Sequence, residues 1–429
     1  MNTSWVRGSR VALLLSLLAA MSIVCYIELV LRPHQVAESV SLGIPRGNLS
    51  DLYPRWLGAR ELLLHHRDPY GSELTREIQT GYYGRPLDPA RPNDPKDQQA
   101  FAYPLYVVFV LAPTVGLRFA IVQRAFLVVL ILATAASVLL WLQALDWRIS
   151  TRTKIVWIVL TLGCFPAIQG FKLQQLTLLV AALIALAMHA IARRHFVFAG
   201  ILLALGTIKP QLAALMMVWL CIWAAGNWRE RRALVLSFAA AMALLIGGAE
   251  ILLPGWIGEF RAASAAYYRY TGGGRSVLDV LLSPAWGRAL AVVLAATVLI
   301  LLWKVRHVRE TTPEFHWAQC LVLAGTLTLI PMFAPYNQLL LLPALMMIVR
   351  GADLLWSKNR LSRFLMVVTT VAVFWTWISA AALGIAWIFL PAATVQNAWA
   401  LPLFTSLAIP IMVLAVLLFH RKTLCLAQS

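Results

Sequence analysis

The stretch NLSDLYPRWLGARELLLHHRDPYG, Asn48 to Gly71, follows an apolar N-terminal run and places Asp51, His65, His66 and Asp68 within a few turns of one another. Carboxylates and imidazoles so placed can move protons. Asp51 opens the helical pattern YPRWLGARELLLHH after the turn-forming GNLS, so it suits a general base or a helix N-cap. Asp68 in RDPYG suits a turn, and His65 and His66 at the helix C-terminus suit compensation of the dipole. Cations form a second set. FPAIQGFKLQQ, Phe165 to Gln175, carries Gln169, Lys172, Gln174 and Gln175, and LGTIKPQ, Leu205 to Gln211, carries Lys209 at a proline break. A lysine at such a break is costly unless it snorkels or faces an aqueous cavity or an anion. Arg269 and Arg275 in YYRYTGGGRS add cations on a Gly- and Tyr-rich loop. Together these residues describe an anion pocket beside a loop carboxylate.

The elements that must position them are membrane helices. With 61% hydrophobic and 13% charged residues, the chain is far more apolar than a soluble domain. Apolar runs near residues 11–31, 119–143, 174–192, 233–253, 288–305, 316–333, 364–390 and 401–419, with shorter ones near 155–169, 196–208, 210–225 and 337–349, predict an all-α polytopic membrane protein of about 12 transmembrane helices. The first run follows Arg7 and Arg10; it is longer than a signal-peptide core and lacks a small-residue cleavage site, so it reads as a retained helix. The whole chain, 1–429, reads as one integral membrane domain: a first helix at 11–31, an outer loop with interfacial helices at 32–117, transmembrane helices at 118–253, a second outer loop at 254–287 and C-terminal helices at 288–429. Trp56, Leu57, Leu63 and Leu64 suit the apolar face of one interfacial helix.

The short basic connections DWRISTRTK, ARRH, NWRERR, KVRHVR, RGADLLWSKNRLSR and HRK should be cytoplasmic, as should both termini. This alternation holds if FAYPLYVVFVLAPTVGL, Phe101 to Leu117, does not cross; Pro104 and Pro113 bound too short an apolar stretch for a span. Half of the 18 Asp and Glu residues then fall in the first outer loop, and the candidate site faces outward.

Several functions are excluded or disfavoured. The net charge of +18 is spread as punctuation between apolar runs, as topology requires, and does not form a nucleic-acid-binding face. No Walker motif and no strand-linked GxGxxG is present, which argues against a nucleotide-driven pump. The five cysteines are isolated, with neither CxxC nor His pairing. A transporter would carry a two-fold repeat of broken helices, and the halves of this chain do not resemble each other. Glu28 and Glu250 suit interfacial anchoring better than a proton relay.

The ordered set SDLYPRWLGARELLLHHRDPYG, FAYPLYVVFVLAP, AIQGFKLQQLTLLVAALIALA, RRHFVFAGILLALGTIKPQLAAL and FAPYNQLLLLPAL resembles glycosyltransferase family 87, within the C-type superfamily of polyprenyl-phosphate-sugar-dependent membrane glycosyltransferases. The resemblance runs from about Asn48 to Leu345. It implies a C-type glycosyltransferase-like bundle, with Asp51 matching the loop aspartate, Tyr103 and Pro104 the YPP-like element, Gln175 the GQ-containing segment, and Lys209 with Pro210 the K.P-like segment. FAPYNQ stands where relatives acting on mannolipids carry a histidine pair, which Asn337 and Gln338 can match as hydrogen-bonding groups but not as bases, and YPP is reduced to YPL. These departures bear on sugar specificity more than on reaction class.

Displacing a polyprenyl phosphate from an anomeric carbon requires a base for the acceptor hydroxyl and cations for the leaving phosphate. Asp51 is the expected base. Lys172, Lys209, Arg269 and Arg275 are the expected phosphate ligands, and Tyr103, Gln175, Tyr336, Asn337, His65 and His66 the expected substrate contacts. A monophosphate can be neutralised by Arg and Lys alone, so no metal and no cofactor are expected. The expected reaction is inverting transfer of a hexose, mannose among the candidates, from a polyprenyl-phosphate sugar to a lipid or glycan acceptor at the outer face of the inner cell membrane. The alternatives are a lipid-linked polysaccharide ligase or polymerase, and a multi-pass transporter.

Overall fold

A computed structural model of the chain describes residues 4–41, 43, 50–88, 90–91, 93–95, 97–271, 273–331 and 333–428. The segment expected to turn just before Asp51, residues 47–49, lies outside them. The described residues form helices joined by short connections, and no strand occurs among them.

The count of spans is smaller than the sequence suggested. Among the described residues, six helices are long and apolar enough to cross a membrane: Arg10–Ser41, Phe119–Ala144, Trp228–Leu252, Pro284–Lys304, Arg360–Phe389 and Ala392–Phe419. The number rises to eight if two bent pairs each count once, Thr151–Leu162 with Phe165–Leu173 (55°) and Pro335–Arg350 with Ala352–Lys358 (63°). The expectation of about twelve fails on helices such as Phe196–Gly206, whose 11 residues rise only ~16 Å, about half of a bilayer's hydrocarbon core. Apolarity alone does not separate a spanning helix from one buried among other helices. Leu176–Ala192 is of the second kind, with Leu176, Val180, Ile184, Met188 and Ile191 all in the core. By contrast Trp228–Leu252 and Pro284–Lys304 leave Leu244, Ile251 and Val292 more than two-thirds exposed, which water disfavours and lipid satisfies.

Phe101–Leu117 holds a five-residue helix, Val107–Leu111, and a 3₁₀ turn, Ala112–Thr114, and no helix long enough to span a bilayer. The region before it supplies two helices, Leu52–His65 and the amphipathic Ser72–Tyr83. The apolar face of the first packs on protein more than its sequence suggested: Trp56 is buried, touches Phe119, and donates to the Thr114 carbonyl at 3.2 Å. Gly58 lets the Phe101 segment lie directly on this helix, because a Cβ there would run into the Phe101 ring.

Two chain breaks bring polar residues to the start of the Leu52–His65 helix. Phe165–Leu173 ends with Gln174 in the left-handed conformation (φ 50°), and Gly170 admits the Leu178 side chain of the next helix where a Cβ would collide with it. Phe196–Gly206 ends at Thr207, and Pro210–Gly226 begins with Lys209 at its N-cap. The Tyr106 hydroxyl donates to the Thr207 carbonyl at 2.9 Å and so ties the 101–117 segment to this second break.

Candidate active site

Three segments meet where the Leu52–His65 helix begins. The Asp51 amide donates to the Leu173 carbonyl at 3.0 Å, and the Ser50 hydroxyl to Gln174 Oε1 at 2.5 Å. The break after Leu173 therefore holds the start of the helix. Asp51 occupies the N-cap position, yet its side chain makes no capping bond. Instead its carboxylate accepts from Gln175 Nε2 on one oxygen and from Gln99 Nε2 at 3.4 Å on the other.

Gln175 joins this acid to a buried base-type side chain. Lys209, 6% exposed, donates from Nζ to Gln175 Oε1 and to Thr177 Oγ1, each at 2.8 Å, and Thr177 donates to Asn337 Oδ1 at 3.0 Å. The Lys209 ammonium also lies 5.8 Å from the Tyr103 ring centre and 5.2 Å from that of Tyr336. No ion pair joins it to a carboxylate among the described residues; Asp51 is reached only through Gln175. A desolvated cation without a direct counter-ion favours an anion beside it.

Arg55, one turn beyond Asp51, is the second cation. It donates to the Asp51 carbonyl, stacks 4.4 Å over Tyr103, and keeps a buried Nε without a partner among the described residues. Burial works against its charge, yet Tyr103, Asp51 and Asp97 hold the guanidinium above its ordinary value. The reverse acts on Tyr103: burial alone would raise its phenol, but Arg55 and Lys209 bring it below its ordinary value. Tyr103 is held in place by the Tyr70 hydroxyl, which donates to its carbonyl at 2.7 Å.

Asp51, Arg55, Tyr103, Gln175 and Lys209 line one cavity of about 410 Å³, together with Asp97, Gln99, Pro104, Ile208, Phe260, Tyr267, Tyr268, Phe333, Tyr336 and Asn337. The Pro335–Leu341 turn contributes Tyr336 and Asn337. The Trp256–Tyr270 helix contributes Phe260, Ser264, Tyr267 and Tyr268, which fall on one helical face. Asp97 opens into the cavity while lying deep among surrounding protein groups. That enclosure, and Asp51 nearby, hold its carboxyl above the usual range.

The loop that carries Asp97 and Gln99 is clamped from outside the cavity. Arg85 grips Asp94 with both guanidinium nitrogens, at 2.5 and 3.1 Å, and Asp94 also accepts from the Asp88 amide at 2.7 Å. Gln79 and Tyr83 donate to the carbonyls of Gln98 and Asp97. The Arg85 contact holds the Asp94 carboxyl below the usual range. A depressed carboxyl stabilises the fold at pH above its unfolded value, near 4, and loses that contribution as pH falls through the folded value. We therefore expect a spin label at position 88 to be immobile at neutral pH and to gain mobility below about pH 4, whereas Arg85→Gln should loosen it already at pH 7. Equal immobility of the variant at neutral pH would show that the clamp lies elsewhere.

Of the residues picked from sequence, Asp51, Tyr103, Gln175, Lys209, Tyr336 and Asn337 come together in the cavity. Lys172, Arg269, Arg275, His65 and His66 do not line it. Lys172 is exposed and donates to Gln35 Oε1 at 3.0 Å. Arg269 and Arg275 are exposed on the Tyr-rich helix and the loop after it. His65 pairs with Glu61 at 3.1 Å, and His66 caps the helix in the left-handed region, φ 55°. Asp68 accepts from the Tyr70 amide at 2.9 Å, the expected turn bond. Arg55, Asp97, Gln99, Thr177 and Tyr267 were missed. Arg55 carried a readable signal, its spacing of four from Asp51 on a helix; Asp97 and Gln99 lie in a polar loop with no periodicity to read.

An all-helical chain with several apolar helices and a cavity that pairs carboxylates with cations has the makings of a multi-pass membrane enzyme. The model of glycosyltransferase family 87 matches residues 101–335, more than half of the chain, and the chain belongs to that family. It is thus a membrane glycosyltransferase. Tyr103, Gln175 and Lys209 lie within the matched region, Asp51, Arg55 and Asp97 before it, and Tyr336 and Asn337 just after it. No match was found among curated proteins or among solved structures.

Proposed function

We propose that the chain transfers a hexose from a polyprenyl-phosphate sugar to a hydroxyl of a lipid or glycan acceptor, with inversion at the anomeric carbon. The observation that carries this reading is the hydrogen-bonded line from Lys209 through Gln175 to Asp51 inside one cavity. It sets a cation for a leaving phosphate a single side chain away from a carboxylate for an incoming hydroxyl. Arg55 supplies a second positive charge from the same helix as the base.

In this scheme the acceptor hydroxyl gives its proton to Asp51 as its oxygen bonds to the anomeric carbon. The bond from that carbon to the phosphate oxygen breaks, and the electron pair leaves with the phosphate. Arg55 and Lys209 neutralise the charge that develops there, in surroundings where charge–charge contacts are stronger than in water. Gln175, bonded to both Lys209 and Asp51, fixes their separation. Tyr336 and Asn337 line the same end of the cavity and contact the hexose. No cofactor beyond the lipid donor takes part, and Arg55 and Lys209 take the place of a divalent ion at the phosphate. The short basic connections support a reading in which this site faces outward from the inner membrane and both termini lie inside.

Purified protein in lipid nanodiscs, given a membrane extract as acceptor source, tests the donor class. Labelled hexose should pass to acceptor from polyprenyl phosphate hexose and not from a nucleotide hexose. Transfer from the nucleotide sugar alone, or movement of the lipid sugar across a membrane with its phosphate bond intact, would overturn the proposal.

A further inference from the structure

Asp97 has no part in the proposed transfer, yet it continues the same hydrogen-bonded line. Gln99 Nε2 bridges the two carboxylates, 3.4 Å from Asp51 Oδ1 and 2.7 Å from Asp97 Oδ2, and the Tyr267 hydroxyl donates to Asp97 Oδ1 at 3.4 Å. The polar groups of the cavity thus run in order from Lys209 through Gln175, Asp51 and Gln99 to Asp97 and Tyr267. The Lys209 end is buried, whereas Asp97 and Tyr268 are exposed to the cavity. Gln99 is itself only 4% exposed, and its Oε1 has no hydrogen-bond partner among the described residues. An amide with an unused acceptor is a poor choice for a purely structural bridge between two acids.

Displacement at a tetrahedral carbon requires the nucleophile and the leaving group on opposite sides. If the phosphate sits at Lys209 and Arg55, the attacking hydroxyl must come to Asp51 from the side of Asp97. We infer that Asp97, with Tyr267, forms the acceptor subsite: its carboxylate receives hydroxyl groups that neighbour the attacking one, and the Tyr267 and Tyr268 rings lie against the acceptor's sugar face. A carboxylate that can accept two hydroxyls, flanked by aromatic rings, is suited to a polyhydroxylated acceptor more than to a simple alcohol. Asp97 is here a binding and positioning residue; the proton still goes to Asp51. Burial first, then Asp51, holds the Asp97 carboxyl above its usual range, and Arg55 only partly offsets them.

This inference rests on the proposed binding of the donor phosphate at Lys209, so its test reads the two ends separately. Wild-type protein in nanodiscs is titrated with polyprenyl phosphate as the probe of the donor end and with octyl mannoside and octyl glucoside as probes of the acceptor end. Asp97→Asn should weaken octyl hexoside binding about tenfold or more, the usual scale for a hydrogen bond to a charged group, with polyprenyl phosphate affinity within about twofold of wild type. Lys209→Gln should do the reverse. Tyr267→Phe, on a separate helix, should reproduce the Asp97 pattern at smaller size and guards against misfolding of the first variant. Octyl hexoside binding unchanged in both Asp97→Asn and Tyr267→Phe, or absent from wild-type protein that does bind polyprenyl phosphate, would overturn the subsite. Failure of wild-type protein to bind polyprenyl phosphate at all would instead remove the donor assignment on which it stands.

Discussion

Asp51→Asn is expected to fold, insert and bind the lipid-linked sugar, and to transfer it at least about a hundredfold more slowly than wild type, the usual scale for a lost acid or base. The two roles open to Asp51 make different demands. A helix cap needs only a short side chain that accepts a hydrogen bond, so Asn would serve nearly as well. Proton abstraction needs a carboxylate. The structure sharpens the contrast, because the Asp51 side chain makes no capping bond and points to Gln175 and Gln99. The helix start is held by backbone and Ser50 contacts that the substitution leaves untouched. Transfer rate and donor affinity measured on one preparation decide it. His65→Gln, His66→Gln and Asp68→Asn, all outside the cavity, should transfer at near wild-type rate. A near wild-type rate for Asp51→Asn would assign proton transfer to another group, with Asp97 the nearest carboxylate by the Gln99 bridge.

Lys209→Gln and Arg55→Gln should each weaken polyprenyl phosphate binding by about one to two factors of ten, since a hydrogen bond to a charged group contributes roughly 1.5–3 kcal/mol. Neither cation forms an ion pair among the described residues, so removing either breaks no salt bridge there, although Arg55 also acts on Asp51 and Asp97 through space. Glutamine at position 209 can still reach Gln175 or Thr177, which keeps the break before Pro210–Gly226 satisfied. Lys172→Gln, Arg269→Gln and Arg275→Gln are the internal comparison, because those side chains do not line the cavity. Were the comparison variants to lose affinity while Lys209→Gln and Arg55→Gln kept it, the phosphate would have to be placed near the Tyr-rich helix and the loop after it.

The long helices were legible because their apolar runs exceed what a soluble core helix needs. The short ones were miscounted as spans because Leu176–Ala192, Phe196–Gly206 and Pro210–Gly226 are as apolar as spans and differ only in length and burial, neither of which composition reports. Lys209 stood out because a charge at a chain break beside Pro210 is costly without a purpose, and Asp51 because it is an acid that opens a helical pattern just after a turn-forming stretch. Lys172, Arg269 and Arg275 looked alike in sequence, but their positions let them reach the surface. Asp97 and Gln99 gave no signal, since their place in the cavity is set by the Arg85–Asp94 clamp and by contacts with Gln79 and Tyr83 that join residues distant along the chain. Trp56 shows the same limit from the apolar side, because an amphipathic helix face reads identically whether lipid or protein covers it.

The proposed chemistry is at root a matter of geometry, and a structure of the wild-type protein in nanodiscs with polyprenyl phosphate hexose bound shows that geometry directly. Phosphate oxygens should lie about 3 Å from Lys209 Nζ and from the Arg55 guanidinium, with the anomeric carbon between the phosphate and the Asp51 carboxylate. A phosphate bound outside this cavity, or an anomeric carbon whose face opposite the phosphate is turned away from Asp51, would contradict the assignment.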